Sequence, residues 1–295
     1  MKKRKPNIKG IILAAGTATR LFPVTLAVNK QLLNIFDKPM IYYPLSVLML
    51  SNIREILIIT KPEDLKSFRC LLGNGSALGI SIKYAIQKKP KGIAEAFLIG
   101  KKFLSNSNCA LILGDNIFYG RELKKKLDSA RSRFIGGTIF SYPVNDPQRF
   151  GVAELYKNKK IKKLTEKPKN PKSNLAVTGL YFYDNQVVKI AKSLKPSKRG
   201  ELEITDINKI YLRKKQLYLE TFNKRFAWLD TGTPESLLSA NNFIATTERK
   251  NKIKIACLEE IAYQNNWITK NKLKKLIKKM SSGSYKNYLS KMLKK

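Results

Sequence analysis

Histidine is absent from all 295 residues. That absence removes imidazole general bases, Ser-His-Asp and Cys-His nucleophile systems and histidine-ligated zinc, so chemistry falls to Asp, Glu, Lys, Arg, Tyr and backbone donors. Cysteine is nearly absent as well. Cys70, Cys109 and Cys257 stand far apart with no CxxC pairing, which speaks against a disulfide framework or a structural zinc site and fits a reducing compartment. No apolar run reaches the roughly 18 residues of a membrane span. The apolar segment Ile8–Leu13 behind the N-terminal basic residues is short and lacks the small-residue cleavage site of a secretory signal. A soluble, cytoplasmic protein without a membrane partner is expected.

Acidic residues are scarce too: 21 Asp+Glu stand against 58 Lys+Arg, a formal charge of +37. Such a balance by default suggests nucleic acid, an anionic membrane or polyphosphate. The distribution weakens that reading. Lys2, Lys3, Arg4, Lys5 and Lys9 open the chain, eight lysines lie between Lys157 and Lys172, and fourteen basic residues face two acidic ones from Arg249 to Lys295. The charge is spread out and mostly lysine beside asparagine and isoleucine, a combination also expected from an AT-rich coding bias. It reads as background, and nucleic acid is not the expected partner.

What is present is a βαβ rhythm. Compact apolar runs at Ile8–Leu13, Ile53–Thr60, Ile80–Ile86 and Ala110–Leu113 alternate with helix-like Ile41–Leu50 and Ile93–Leu104. The rhythm predicts an α/β fold with a mixed, mostly parallel sheet and ligands at the carboxyl ends of its strands. Closely spaced strands at Gly137–Val144, Gly151–Tyr156, Lys160–Thr165 and Ala176–Tyr183 suggest an added β-rich, substrate-facing layer. Helical patterning returns at Glu201–Lys215 and Pro234–Lys250, the latter with Thr233 as N-cap. Lys270–Lys279 places Leu273, Leu276 and Ile277 on one side. The chain divides into a core of residues 1–250, including the β-rich region, and a C-terminal helical appendage of residues 251–295 packed on it.

Few residues announce chemistry by position alone. The small-residue loop from Ala14 to Arg20 follows a buried strand, so its N–H groups and guanidinium can receive phosphate oxygens, but small residues with one glycine after a strand are more often a plain turn. Asp115 ends the apolar strand Leu111-Ile112-Leu113, where a carboxylate can bind magnesium or simply cap a loop. Asp230 stands in a second turn, and the two aspartates can share one cation. Lys30 and Lys167 are hard to single out in so basic a chain.

Segments taken in order carry more. Leu13-Ala14-Ala15-Gly16-Thr17-Ala18-Thr19-Arg20-Leu21-Phe22-Pro23, Lys30-Gln31-Leu32-Leu33 and Asp37-Lys38-Pro39-Met40 resemble the opening of the sugar-1-phosphate nucleotidylyltransferases. Gln87, Gly92-Ile93-Ala94-Glu95-Ala96-Phe97, Leu113-Gly114-Asp115-Asn116, Glu166-Lys167-Pro168, Val177-Thr178-Gly179, Arg199-Gly200-Glu201-Leu202-Glu203-Ile204-Thr205-Asp206 and Trp228-Leu229-Asp230-Thr231-Gly232 narrow the likeness to the glucose-1-phosphate thymidylyltransferases. It covers nearly the whole chain from Lys9 onward and keeps its order.

The resemblance implies a Rossmann-like nucleotidyltransferase core with an inserted β-rich sugar-binding region and C-terminal helices. It implies a magnesium-dependent reaction of dTTP with α-D-glucose 1-phosphate to give dTDP-glucose and pyrophosphate, the first step of dTDP-rhamnose synthesis, in a homotetramer. By motif, Arg20, Lys30 and Lys167 are catalytic. Leu13, Gly16, Thr19, Gln87, Gly92 and Asp115 would bind the nucleotide, Asn116, Gly151, Glu166 and Val177 the sugar, and Asp115 and Asp230 the Mg2+. Alternatives are UTP or another sugar 1-phosphate, or a decayed polyanion-binding protein.

The chain departs from the family where Ala15 and Ala18 replace loop glycines, Asn34 replaces proline, Phe150 tyrosine, Lys91 aspartate and Glu95 glutamine. An alanine at φ > 0 in that loop costs about 1 kcal/mol or more.

Overall fold

A computed structural model describes residues 7–223 and 225–294; Lys2, Lys3, Arg4 and Lys5 lie outside the described residues. Four strands, Ile8–Ala14, Glu55–Thr60, Ser81–Ile86 and Asn108–Leu113, run parallel, with Ile8–Ala14 between Glu55–Thr60 and Asn108–Leu113. In the three inner strands a near-continuous apolar sequence reflects burial on both faces, whereas Ser81–Ile86 at the edge alternates and exposes Ser81 and Lys83. Alternate side chains serve opposite layers: Ile12, Ile58 and Ile112 pack with Leu45 and Leu48 of the Tyr42–Leu50 helix, while Ile11, Leu57 and Leu111 pack with Phe97 and Tyr183. The chain moves outward from Ile8–Ala14 on one side and returns on the other with Asn108–Leu113. The order reverses between these two strands, and a crevice opens at their carboxyl ends.

The β-rich middle is an extension of this sheet rather than a separate layer. Leu175–Tyr183 is nine residues long and serves both parts: Leu180–Tyr183 pairs antiparallel with Asn108–Leu113, and the opposite edge pairs with Gly137–Pro143. The hairpin of Gly151–Leu155 and Ile161–Glu166 joins at Ala176, and Leu217–Thr221 adds parallel to Gly137–Pro143. A register shift between Val177 and Tyr181 bends the long strand where it passes the crevice.

Two predicted helices are shorter than their periodicity suggests. The predicted Glu201–Lys215 is helical only from Ile204 to Arg213, because Leu202 spends its backbone groups on Lys91 O at 2.8 Å and Ala94 N at 3.1 Å. The predicted Ile93–Leu104 breaks at Gly100 into Glu95–Ile99 and Lys101–Leu104. Pro234–Asn251 begins as expected, with Thr233 and Ser236 forming a reciprocal cap. An unforeseen antiparallel ribbon pairs Asn116–Tyr119 with Ala227–Asp230 and sets Asp230 opposite Asn116.

Leu258, Ile261, Leu273, Ile277 and Leu289 of the C-terminal helices are buried in the same layer as Leu48 and Phe68. The lysines of Lys270–Lys279 point away from it and are exposed. Cys109 and Cys257 are buried, Cys70 is exposed, and all three are free thiols. Among the described residues no helix is long and apolar enough to cross a membrane.

Candidate active site

The crevice is built from the segments that leave the two reversed strands. After Asn108–Leu113 comes Asp115; after Ile8–Ala14 comes the loop to Arg20, then the short 3-10 turn Lys30–Leu32. Asn29 positions that turn. Its Oδ1 accepts the Gln31 N–H at 2.8 Å while its Nδ2 donates to Ala14 O at 3.3 Å and to Asp64. The Lys30 side chain, 5% exposed, then reaches across to donate to Asp115 Oδ2 at 2.6 Å. Burial pushes the Asp115 carboxyl up, but the Lys30 charge and hydrogen bond, with the Asn116 amide, outweigh it and hold it below the usual carboxylate value.

Asp230 enters from the ribbon. The Arg149 guanidinium lies 3.5 Å from its Oδ2, and the Arg20 guanidinium sits beside Gly232, 2.9 Å from where a Cβ would stand. Its carboxyl is raised nonetheless, by burial first and by the Asp115 charge next, which Lys30, Arg149 and Arg20 offset only in part. Two half-buried carboxylates in mutual repulsion fit a hard divalent cation. Among the described residues no cluster of three or more Asp, Glu, His or Cys side chains forms a complete cage. Two protein carboxylates with open positions left for phosphate oxygens and water is the pattern magnesium accepts.

Two cavities meet at Asp115. One, of about 210 Å³, is bordered by Leu13, Gly16, Gln31, Gln87, Gly92 and Leu113. The other, of about 230 Å³, is bordered by Arg20, Asn116, Gly151, Glu166, Lys167, Val177 and Asp230, among others. No atom lies within 4 Å of a Cβ placed on Gly16, so a ligand can approach that backbone closely. Gly92 is obligatory for a different reason: φ is +95° and a Cβ would meet Leu202 O at 2.4 Å. Thr19 is exposed at the lip and borders neither cavity. Asn116 is engaged through its whole amide. Its Oδ1 accepts from Trp228 Nε1 at 2.7 Å and Gly179 N at 3.0 Å, and its Nδ2 donates to Asp115 Oδ1 at 3.0 Å, so it orients the aspartate.

Several residues at the site have no role assigned from the sequence, although Gln31 and Arg199 fall within the family-like segments. Arg149 and Arg199 are two of 58 cations, yet Arg199 Nη2 lies 3.5 Å from Glu166 Oε1 while Thr205 Oγ1 donates to Oε2, fixing both carboxylate oxygens. Gln31, 4% exposed, leaves its Oε1 without a partner among the described residues at the edge of the first cavity. Of the departures from the family pattern, Phe150 keeps an aromatic edge on Trp228 at 5.2 Å between ring centroids. Lys91 contributes its carbonyl to Leu202. Asn34, exposed in a two-residue strand, has no contact with either cavity.

The loop alanines separate. Ala18 is left-handed, with φ 50° and ψ 34°, whereas Ala15 is buried and keeps a negative φ. Ala18→Gly is therefore expected to stabilise the protein by about 1 kcal/mol, and Ala15→Gly to destabilise it. Thermal melting of the two variants checks both signs.

The model of the nucleotidyl transferase family matches residues 9–247. The chain is 54% identical to the glucose-1-phosphate thymidylyltransferase of Neisseria meningitidis serogroup A, over 98% of this chain and the whole of that one. It is 47% identical to the enzyme of that name from Mycobacterium tuberculosis, over 97% and 99% of the two chains. A Bacillus anthracis structure described as a glucose-1-phosphate thymidylyltransferase, solved with sucrose, superposes with a TM-score of 0.74 at 43% identity, covering 80% of this chain and 94% of that one. UDP-glucose pyrophosphorylase with UDP-glucose superposes at 0.71 with 25% identity, over 82% and 99%. A switch-point crevice with paired aspartates, reached by full-length relatives at this identity, leaves one assignment: the chain belongs to the nucleotidyl transferase family and, within it, to the glucose-1-phosphate thymidylyltransferases.

Proposed function

We propose that this crevice transfers a thymidylyl group from dTTP to α-D-glucose 1-phosphate, giving dTDP-glucose and pyrophosphate. The observation that carries the reading is that Asp115, the aspartate that follows Asn108–Leu113, borders both cavities, as does Glu201. A nucleotide in the first and a sugar phosphate in the second would bring their phosphates together there. The attacking oxygen of a sugar phosphate is already ionised near neutral pH, so no general base is required and the lack of histidine is no obstacle. Catalysis reduces to in-line positioning and charge neutralisation.

In this reading Arg20 and Lys30 neutralise the triphosphate and the charge that develops on departing pyrophosphate, and Lys167 holds the sugar phosphate. Gly16 and Leu13 border the nucleotide, with Thr19 at the lip; Gln87 and the Gly92 backbone face the base. Glu166, gripped by Thr205 and Arg199, accepts from sugar hydroxyls, beside Gly151 and Val177. Asp115 and Asp230 would hold Mg2+, which when bound supplies positive charge to the phosphate oxygens. The chain would work in the cytoplasm as a homotetramer, with residues 1–250 as catalytic core and 251–295 as appendage. It would supply an activated hexose for conversion to dTDP-rhamnose.

Pyrophosphate release from the purified protein with Mg2+, glucose 1-phosphate and either dTTP or UTP tests the reading. Turnover with dTTP preferred over UTP is expected, and Asp115→Asn is expected to lower it at least about a hundredfold. Turnover preferring UTP would overturn the base assignment, and folded protein inert with both would overturn the reaction.

A further inference from the structure

Gln87 forms a buried wall of the base-side cavity, 4% exposed. Its backbone N–H donates to Thr60 O at 2.9 Å, which fixes the chain at that point. Its side-chain Nε2 donates to Glu95 Oε2 at 2.6 Å. An ionised carboxylate accepts hydrogen bonds and cannot donate them, so this contact permits one orientation of the amide: NH2 toward Glu95, Oε1 on the opposite branch. A glutamine at position 95 would permit either orientation, because an amide both donates and accepts.

We infer that Glu95 is a positioning residue for base selection. By locking the Gln87 amide it leaves one N–H and the Oε1 for the base, a pattern that matches a pyrimidine with N3–H beside a 4-carbonyl and mismatches one with an acceptor N3 beside a 4-amino group. The inference rests on the nucleotide occupying this cavity, as in the thymidylyl-transfer reading. To match cytosine the amide must turn half-way round, which sets its oxygen against a carboxylate oxygen in a half-buried contact and costs the hydrogen bond between them.

The carboxylate has little room to retreat from that clash. Glu95 begins the helix Glu95–Ile99, and the segment before it is clamped to Leu202 from both sides. Ala94 N donates to Leu202 O at 3.1 Å, Leu202 N donates to Lys91 O at 2.8 Å, and Gly92 passes so close that a Cβ would sit 2.4 Å from Leu202 O. The backbone that carries Glu95 is therefore held in place while the side chain fixes its neighbour.

The test is steady-state kinetics and calorimetric binding of dTTP, UTP and dCTP to the full chain, wild type, Glu95→Gln and Glu95→Ala. Glu95→Gln is expected to lower kcat/KM for dTTP about two- to fivefold and to raise that for dCTP, so that the dTTP-to-dCTP ratio falls at least about tenfold. The change should lie in KM, since the phosphorus chemistry is remote from the base. The dTTP-to-UTP ratio should hold constant, because both bases present N3–H and a 4-carbonyl. Glu95→Ala, which frees the amide altogether, should weaken dTTP further and also narrow the ratio to dCTP. An equal fall for all three nucleotides would reduce Glu95 to a structural role and overturn the inference, as would wild-type protein that binds dTTP and dCTP equally. Selective binding that narrows in Glu95→Gln, without turnover in the wild type, would sink the reaction and uphold the base selection.

Discussion

Asp230→Asn is expected to yield a protein that is more stable without metal and at least about a hundredfold less active with it. The folded-state pKa of Asp230 lies above its unfolded value, through burial and the Asp115 charge. An ionised Asp230 therefore opposes folding at neutral pH. That opposition is absent below the unfolded value near 3.8, grows as pH rises toward the folded value, and is complete above it. Asparagine removes the charge and keeps the shape. The loss of a 3.5 Å contact to Arg149 matters little, because that guanidinium retains Asp146 at 2.6 Å. At pH 7 the variant should melt roughly 1–2 °C higher, the response of a chain this size to about 1 kcal/mol. The gap should close as the pH is taken below 4. Added Mg2+ should raise the melting temperature of the wild type and not of the variant. A variant less stable than wild type at pH 7 would mean that the two carboxylates do not repel in the absence of a cation.

How much of this site is legible in the sequence differs residue by residue. Asp115 is readable because an apolar strand, Leu111-Ile112-Leu113, runs straight into it, and carboxyl ends of buried strands are where such sheets bind ligands. Asp230 is readable as a carboxylate in a turn. Its partnership with Asp115 is created by the ribbon of Asn116–Tyr119 with Ala227–Asp230, a pairing across more than a hundred residues that no local pattern encodes. The closely spaced strands after Gly137 are visible as alternation, but alternation does not say which edges meet, so their membership of the main sheet is not. The late start of the Ile204–Arg213 helix is invisible for a similar reason, since Leu202 is claimed by distant backbone. Lys30, Arg149 and Arg199 are lost in the charge excess: when 58 of 295 residues are cationic, composition cannot mark those that matter. For Lys30 and Lys167 only the ordered motifs do so. The left-handed Ala18 stands between these cases, because the departure from glycine is plain in the sequence while its φ of 50° is not.

Lys30→Met is expected to lose turnover by at least about a hundredfold while binding Mg2+ more tightly. Lys30 is the cation that most lowers Asp115, and the folded pKa of Asp115 lies below its unfolded value on that account. The sign is opposite to that of Asp230: this carboxylate contributes stability above its unfolded value, and the contribution is lost as pH falls through the folded value. Methionine matches the length of the lysine stem and leaves Asp115 with burial, the largest cause, which raises its carboxyl against the Asn116 amide and a backbone hydrogen bond. Three consequences separate this from simple misfolding. The variant should melt lower than wild type at pH 7, Mg2+ should restore more of that loss than it adds to the wild type, and the acid limb of the pH–activity profile should move upward. Lys30→Arg should not rescue turnover, because a larger, planar guanidinium must enter a space where the lysine is 5% exposed and its nitrogen already lies 2.6 Å from the carboxylate. A variant that melts lower but binds Mg2+ no better would show that Lys30 packs the crevice without holding the charge of Asp115. Tighter metal binding together with lost turnover would show that the ammonium holds the metal's place until nucleotide arrives, and is needed for the phosphates after that.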